Sequence, residues 1–458
     1  MIKFISLKQL SLSALFLSTQ VYAGAFSLYT EGSASAVGNF AAGIAAEGRD
    51  ASVGWYNPAA LVLLKRPELV AGVVGVNPSV SLSGQAYFYQ QSQGDIFPPY
   101  VQNFTDLSGA REGIVPNIHL ALPAGERVTY GLSVVAPMGM STNWPEDSAL
   151  RYAGTLSSLR MVDISPEMGG LITDNFSVGW GLDIELADVS FNNILGAPGV
   201  LQYLNQDPTS LDSKLINYGR SSGLGFHAGF LLLSHDKNSR FGFNYQYGVT
   251  HEFSDSSRLE GRLADPDNIY QNPDAIFFGN HLKSNPIKFP DIMTLSLYQT
   301  VSDKVALMGS FVYTMWSSFK TIELFNVAAL DVINDTLFFT HASSVQNYQN
   351  ALRFAVGLNY ALKDNWQLRL GGGYDQTPTN NMDRDSRLPD VDKYALAVGL
   401  QWNYNQHLRI DAGYSYLFPA GDVLIHKTQI LDEDNYLQVN ASGKAHAQLL
   451  AIQAAWRQ

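Results

Sequence analysis

No cysteine occurs anywhere in the 458 residues. The chain can build neither a disulfide framework nor a thiolate metal site nor a cysteine nucleophile. Long apolar runs are missing as well. Beyond the N-terminus no segment offers the ~18 uninterrupted apolar residues of a spanning helix. Charge is sparse, at 15% of residues, and acidic in balance, with 29 Lys and Arg against 41 Asp and Glu. A nucleic-acid partner would call for a basic patch, so none is expected. The nine histidines are scattered, and none forms the H-E-x-x-H spacing of a metal site. No catalytic residue, metal or cofactor is therefore assigned.

Aromatic residues and glycine are abundant: 23 Tyr, 24 Phe and 39 Gly. In "FSVGWGLDIEL" (176–186), Phe176, Val178, Trp180, Leu182, Ile184 and Leu186 share one parity, while Ser177, Gly179, Gly181, Asp183 and Glu185 share the other. Side chains alternate across a strand, so one face is wholly apolar and the other polar and acidic. The pattern recurs in "FGFNYQYGVT", "LRFAVGLNY", "WQLRLGGGYD", "YALAVGLQWNYN" and "LRIDAGYSY". Short polar turns punctuate it at 124–126, 173–175, 236–239, 302–304, 363–365 and 405–407. Long connections are expected near 85–112, 139–156, 193–222, 254–286, 321–347, 377–390 and 420–443. Short turns alternating with long loops around about fourteen strands describe an all-β, transmembrane antiparallel barrel of a bacterial outer membrane. A soluble sandwich does not impose that asymmetry on every hairpin. The apolar face then meets lipid and the acidic face the lumen. Inward charges are read at Asp163, Glu167, Asp183, Glu185, Arg353, Arg369, Asp375, Arg409 and Asp411.

Residues 1–23 read as an export signal. Lys3 and Lys8 give a positive start, 10–17 a short apolar stretch, and Val21-Tyr22-Ala23 a small-residue cleavage site. Residues 24–66 are small-residue rich and not strand-like, yet carry Phe26, Leu28, Phe40, Trp55, Tyr56 and Leu61. About fourteen strands enclose an interior that wall side chains cannot fill, so this segment is expected as a plug inside the barrel, residues 67–458. Pro137 lacks an N–H and Gly139 follows it. A proline within a wall strand demands either a bulge or a break in pairing.

These residues become specific together. "GAFSLYTEGSASAVG", "AAEGRDASVGWYNPAAL" with its Asn57-Pro58-Ala59, "APMGMSTNW" (136–144), "YTMWSSF" (313–319) and "TPTNNMDRDSRLPDVDKY" (377–394) occur in order over the mature chain. The sequence resembles the FadL family of outer-membrane transporters for long-chain fatty acids and other hydrophobic molecules. The resemblance implies a fourteen-stranded barrel stoppered by an N-terminal hatch that carries the Asn57, Pro58, Ala59 motif. It implies capture of ligand at the outer loops, an internal apolar pocket, and lateral release through a kink in the third strand at Pro137, Met138 and Gly139. A carboxylate head calls for a cation; Lys320, just after "MWSSF" and on the parity of Trp316 and Ser318, is the first expected head-group cation, with Arg160 and Arg353 next. Leu195, Val200, Leu201, Tyr203 and Leu204 are the expected outer capture patch. Implied partners are a long-chain fatty acid or other hydrophobic ligand, outer-membrane lipid and lipopolysaccharide, and the barrel assembly machinery, with the chain acting as a monomer. The long loops match the family less closely, which leaves import of aromatic hydrocarbons and an aqueous diffusion porin as alternatives. The chain ends "AAWRQ" rather than on an aromatic, with Trp456 two residues earlier.

Overall fold

A computed structural model describes residues 27–92, 95–269, 271–331, 336–431 and 435–458. The expected export signal lies outside them. The wall strands run in order from β1 (Glu68–Tyr89) to β2 (Tyr100–Leu107, then Gly113–Ala124) and β3 (Val128–Val135, then Gly139–Asn143). Next come β4 (Leu156–Thr173), β5 (Phe176–Leu195), β6 (Ser213–Leu233) and β7 (Ser239–Gln246, then Ser254–Glu260). The second half holds β8 (Ile276–Ser284, then Ile292–Ser302), β9 (Val305–Thr314, then Thr321–Asp331), β10 (Thr336–Val345, then Ala351–Lys363) and β11 (Trp366–Asp375). The wall ends with β12 (Lys393–Asn403), β13 (Leu408–Pro419, then Val423–Ile430) and β14 (Tyr436–Arg457). Each strand pairs antiparallel with the next. β14 then pairs with β1 from Glu68↔Arg457 to Tyr89↔Tyr436, closing a fourteen-stranded barrel.

The alternation at 176–186 resolves as apolar-out. Trp180 is 49% exposed and Ile184 40%, whereas Asp183 is fully buried and Glu185 nearly so. A ring of outward apolar side chains on this scale needs lipid to cover it. Near the short turns, Trp366 stacks on Trp402 at 5.4 Å, as an interfacial aromatic girdle does.

The strands run further than the alternation suggests. Segments 254–260, 276–284, 321–331 and 336–345, expected within long loops, are strands. Above the bilayer both faces meet water or other loops, so "SDSSRLE" keeps the backbone pairing of a strand without its apolar stripe.

Residues 27–64 lie inside the cylinder as short helical turns: α1 (Ala34–Val37), α2 (Ile44–Glu47), α3 (Val53–Tyr56) and a 3-10 turn over Pro58–Leu63. Asn57 fixes this plug. Its Nδ2 donates to the carbonyls of Ala45 (2.7 Å) and Phe230 (3.1 Å), and its Oδ1 accepts from the Ala59 N–H (3.2 Å). Ser177 Oγ donates to the Ala59 carbonyl at 2.8 Å. Three wall glycines make this approach possible. A Cβ at Gly169 or Gly179 would strike the Pro58 or Ala59 backbone, and one at Gly229 would strike Asn57.

Ion pairs tie the floor of the plug to the wall. Arg409 reaches Asp50 at 2.9 Å, Glu68 at 3.4 Å and Asp411 at 2.9 Å, all buried. Pairing with Arg409 holds the Asp50 carboxyl low, at about 2, against the opposing effect of burial. Removing one partner from such a buried network typically costs 3–5 kcal/mol. Substituting Gly179→Leu is expected to push the plug off the wall at an overpacking cost of about 1–3 kcal/mol, leaving the barrel closed. The check is thiol labelling of Ser27→Cys, the sole cysteine in such a chain. Labelling is expected to speed up several-fold while the heat-dependent gel shift of a folded barrel persists.

Candidate functional site

β3 departs from β2 at its middle. The two pair from Ala124↔Val128 up to Ile118↔Val134 and then separate. Beyond the break, Gly139–Asn143 pairs with β4, and only Thr142 regains an isolated bridge to Ala110 on the β2 side. Gly113–Asn117 of β2 stays paired with β1, so a gap opens in the wall beside Ala136-Pro137-Met138. Proline cannot donate to a ladder, and the strand turns inward there. The plug takes the freed edge: Leu28 N–H donates to the Pro137 carbonyl at 2.9 Å, and Ser27 bridges Met138.

Three spaces lie between the extracellular segments and this gap. An outer groove of about 320 Å³ lies among the extracellular segments, lined by Phe88, Leu195, Leu215, Val327 and Phe338 among others. Phe191, Ile322, Gln346 and Arg387 are shared with a deeper chamber walled by Met140, Leu159, Val189, Phe253, Phe289 and Phe319. At about 40 Å³ the chamber is closed down, well below the ~300 Å³ of a formed ligand pocket. Leu159 also borders a cleft of about 1270 Å³ at the wall gap. That cleft touches both buried inward residues (Leu28, Met161) and outward ones (Val162, Ile164, Leu186), so it passes through the wall.

The expected head-group cations do not gather in the chamber. Arg353 is committed to the plug, donating to Asp375 (2.8 Å) and Thr30 (2.7 Å) with its guanidinium 4.6 Å over the Phe40 ring. Arg160 faces outward and pairs with Asp188 at 2.6 Å. Lys320 is exposed, because a 3-10 turn over Trp316–Ser318 resets the strand parity that linked it to Trp316. The cation that does line both chamber and groove is Arg387, a residue the sequence reading passed over. Its loop is held inward by β3 and the segment after it: Thr142 Oγ1 donates to the Arg387 carbonyl (2.6 Å) and Trp144 Nε1 to that of Ser386 (3.0 Å). Arg387 Nη1 lies 4.0 Å from Asp385, while its buried Nε has no hydrogen-bond partner among the described residues. Of the expected capture patch, Leu195 lines the groove and Leu201 is buried in the apolar cluster beneath α4 (Pro198–Tyr203). Val200 is half-buried, and Tyr203 and Leu204 are exposed, Tyr203 edge-on to Phe97 at 5.4 Å.

Next to the gap sits Glu31, fully buried, with neither carboxylate oxygen bonded among the described residues. Burial raises its carboxyl from 4.5 to about 7, with Arg353 acting the other way. A carboxyl whose folded-state pKa is raised stabilises the seated plug at acid pH, and that contribution is lost as pH rises through about 7. A spin label on Ser27→Cys is therefore expected to gain mobility as pH rises from 4.5 to about 7, with little further change above that. Glu31→Gln is expected to abolish the pH response.

The family model described as outer membrane protein transport protein (OMPP1/FadL/TodX) matches residues 14–457. A long-chain fatty acid transport protein of Salmonella typhi is 26% identical over 447 residues, covering 95% of each chain. Outer membrane protein P1 of Haemophilus influenzae is 23% identical, covering 94% of each. Among solved structures, a Pseudomonas aeruginosa FadL homologue superposes with a TM-score of 0.78 at 23% identity, covering 95% of this chain and 99% of that one. The Ralstonia pickettii toluene transporter TbuX gives 0.59 at 15% identity, covering 96% and 99%.

Proposed function

This chain belongs to the outer membrane protein transport family (OMPP1/FadL/TodX), transport channels rather than enzymes, and serves hydrophobic uptake across the outer membrane; we propose that its ligand is a long-chain fatty acid released sideways through the β3 gap. The ligand enters the outer groove, moves past Phe191 and Ile322 into the chamber, and leaves through the cleft beside Pro137. The observation that carries the reading is the succession of the three spaces: groove and chamber share Phe191, Ile322, Gln346 and Arg387, and chamber and cleft both touch Leu159.

The energetics are consistent. Each buried CH₂ contributes ~0.8 kcal/mol, so a long acyl chain settles in an apolar chamber and needs a second apolar phase to leave it. Lipid beyond the gap supplies that phase. Seating the chain requires the Phe289 and Phe319 rings to move aside, since the chamber is closed without it. The Arg387 guanidinium, whose Nε has no partner among the described residues and whose nearest carboxylate, Asp385, is 4.0 Å away, favours a carboxylate head over an uncharged aromatic hydrocarbon. A plug filling the lumen argues against an open aqueous pore.

Replacing Ala136-Pro137-Met138 by regular strand residues should let β3 rejoin β2. Oleate uptake by cells is expected to fall to the level of the deletion strain while the barrel still folds; normal uptake would rule out the lateral route. Arg387→Ala is expected to weaken palmitate binding by about tenfold, the worth of a charged hydrogen bond, and to leave hexadecanol binding nearly unchanged. Equal losses for both ligands, measured by calorimetry in detergent, would remove Arg387 from the head-group role.

A further inference from the structure

The exit cleft does not stop at β3. It continues over the outer face of β4, β5 and β6, where Val162, Ile164 and Leu186 form an apolar floor. At the upper edge of that floor lies one transverse row of paired residues: Gly139↔Arg160, Arg160↔Asp188, Asp188↔Arg220 and Arg220↔Ser254. On β5 the outward apolar run ends at Leu186 and the next outward residue is Asp188, so the row stands where the lipid belt gives way to head groups.

The two arginine side chains are 42% and 69% exposed. Arg160 gives Nε and Nη2 to Asp188, and Arg220 gives Nε and Nη2 to Asp255. A guanidinium has five N–H donors, so each retains capacity for another acceptor. A second feature coincides with the row. β7 leaves β6 between Ser254 and Gln246 and folds inward, where Thr250 and His251 pair with Lys288 and Ile287. Ser221–Gly225 of β6 thus lacks a β7 ladder among the described residues, and Ser221, Ser222 and Thr250 border the same cleft. Unpaired backbone at the rim of a lipid-facing wall calls for polar company.

We propose that the Arg160–Asp188–Arg220 row is an exit ledge on the outer face of the barrel, holding the anionic head of a single-chain amphiphile while its tail rests on Val162, Ile164 and Leu186. The inference rests on the lateral-release reading above and extends it beyond the gap. The amphiphile emerges tail and head together at the height where an outer-leaflet carboxylate belongs. The ledge exchanges the Arg387 contact for two exposed arginines, from which the head can pass into the bilayer. Arg160 and Arg220 act here on the departing ligand and take no part in closing the chamber.

The test uses full-length protein in phospholipid liposomes, with an environment-sensitive fluorophore on Ser222→Cys, in otherwise wild-type and Arg160→Gln/Arg220→Gln backgrounds. Palmitate is expected to shift the emission, and the double substitution to raise the half-saturating palmitate about tenfold, while hexadecanol responds equally in both. An unchanged palmitate response in the double variant overturns the ledge. So does a response given by added lipid A phosphate and not by palmitate, which would make the row a lipopolysaccharide contact. Oleate uptake by the unsubstituted protein separates the two levels. If it takes up none, the transport reading itself fails; if it does and the reporter is blind to the arginines, only the ledge fails.

Discussion

Lipid offers no hydrogen bonds, and that constraint organises the molecule. Every N–H and C=O in the wall must find a partner within the protein, and closure of β14 on β1 meets the demand almost everywhere. β3 is one exception, because Pro137 cannot donate and the strand leaves β2; Ser221–Gly225 of β6, without a β7 ladder among the described residues, is another. The freed edge is not abandoned. The plug supplies Leu28 and Ser27 as substitute partners, so the contact that satisfies the backbone also lies against the opening. The kinked edge and the plug are one hydrogen-bonded unit.

The seating of that unit depends on absence of bulk as much as on polar contacts. Gly169, Gly179 and Gly229, on three adjacent strands, let Asn57-Pro58-Ala59 press against the wall. Charges read as lumenal do structural work against the plug: Asp163 accepts from Trp55 Nε1 at 3.1 Å, Arg353 holds Thr30, and Arg409 holds Asp50. The cation lining chamber and groove is instead a loop residue, Arg387, positioned by Thr142 and Trp144. Movement of β3 would therefore be felt at both ends of the chamber.

Much of this was legible in the sequence, for identifiable reasons. Where a strand divides lipid from a polar lumen, as at 176–186, the two faces differ so sharply that parity alone orients it. Pro137 marked the irregular strand because its missing donor is written in the residue type. Above the bilayer the contrast disappears, which is why 254–260 and 321–331 looked like loops although their backbones are paired. Parity also misled at Lys320, since a turn at Trp316–Ser318 interrupts the count. Arg387 sits in a turn segment with no periodicity at all. Its significance arises only from what the fold brings around it. The wall glycines were visible as residues but not as contacts, because their partners are over a hundred positions away.

The most direct measurement of the proposed exit exploits the absence of native cysteine. Ser27 and Met138 are bridged across the plug and β3, a spacing compatible with a disulfide. In cells carrying Ser27→Cys/Met138→Cys, oleate uptake should be blocked when the pair is oxidised and return on reduction, with the barrel folded throughout. Equal uptake in the oxidised and reduced states would contradict the account.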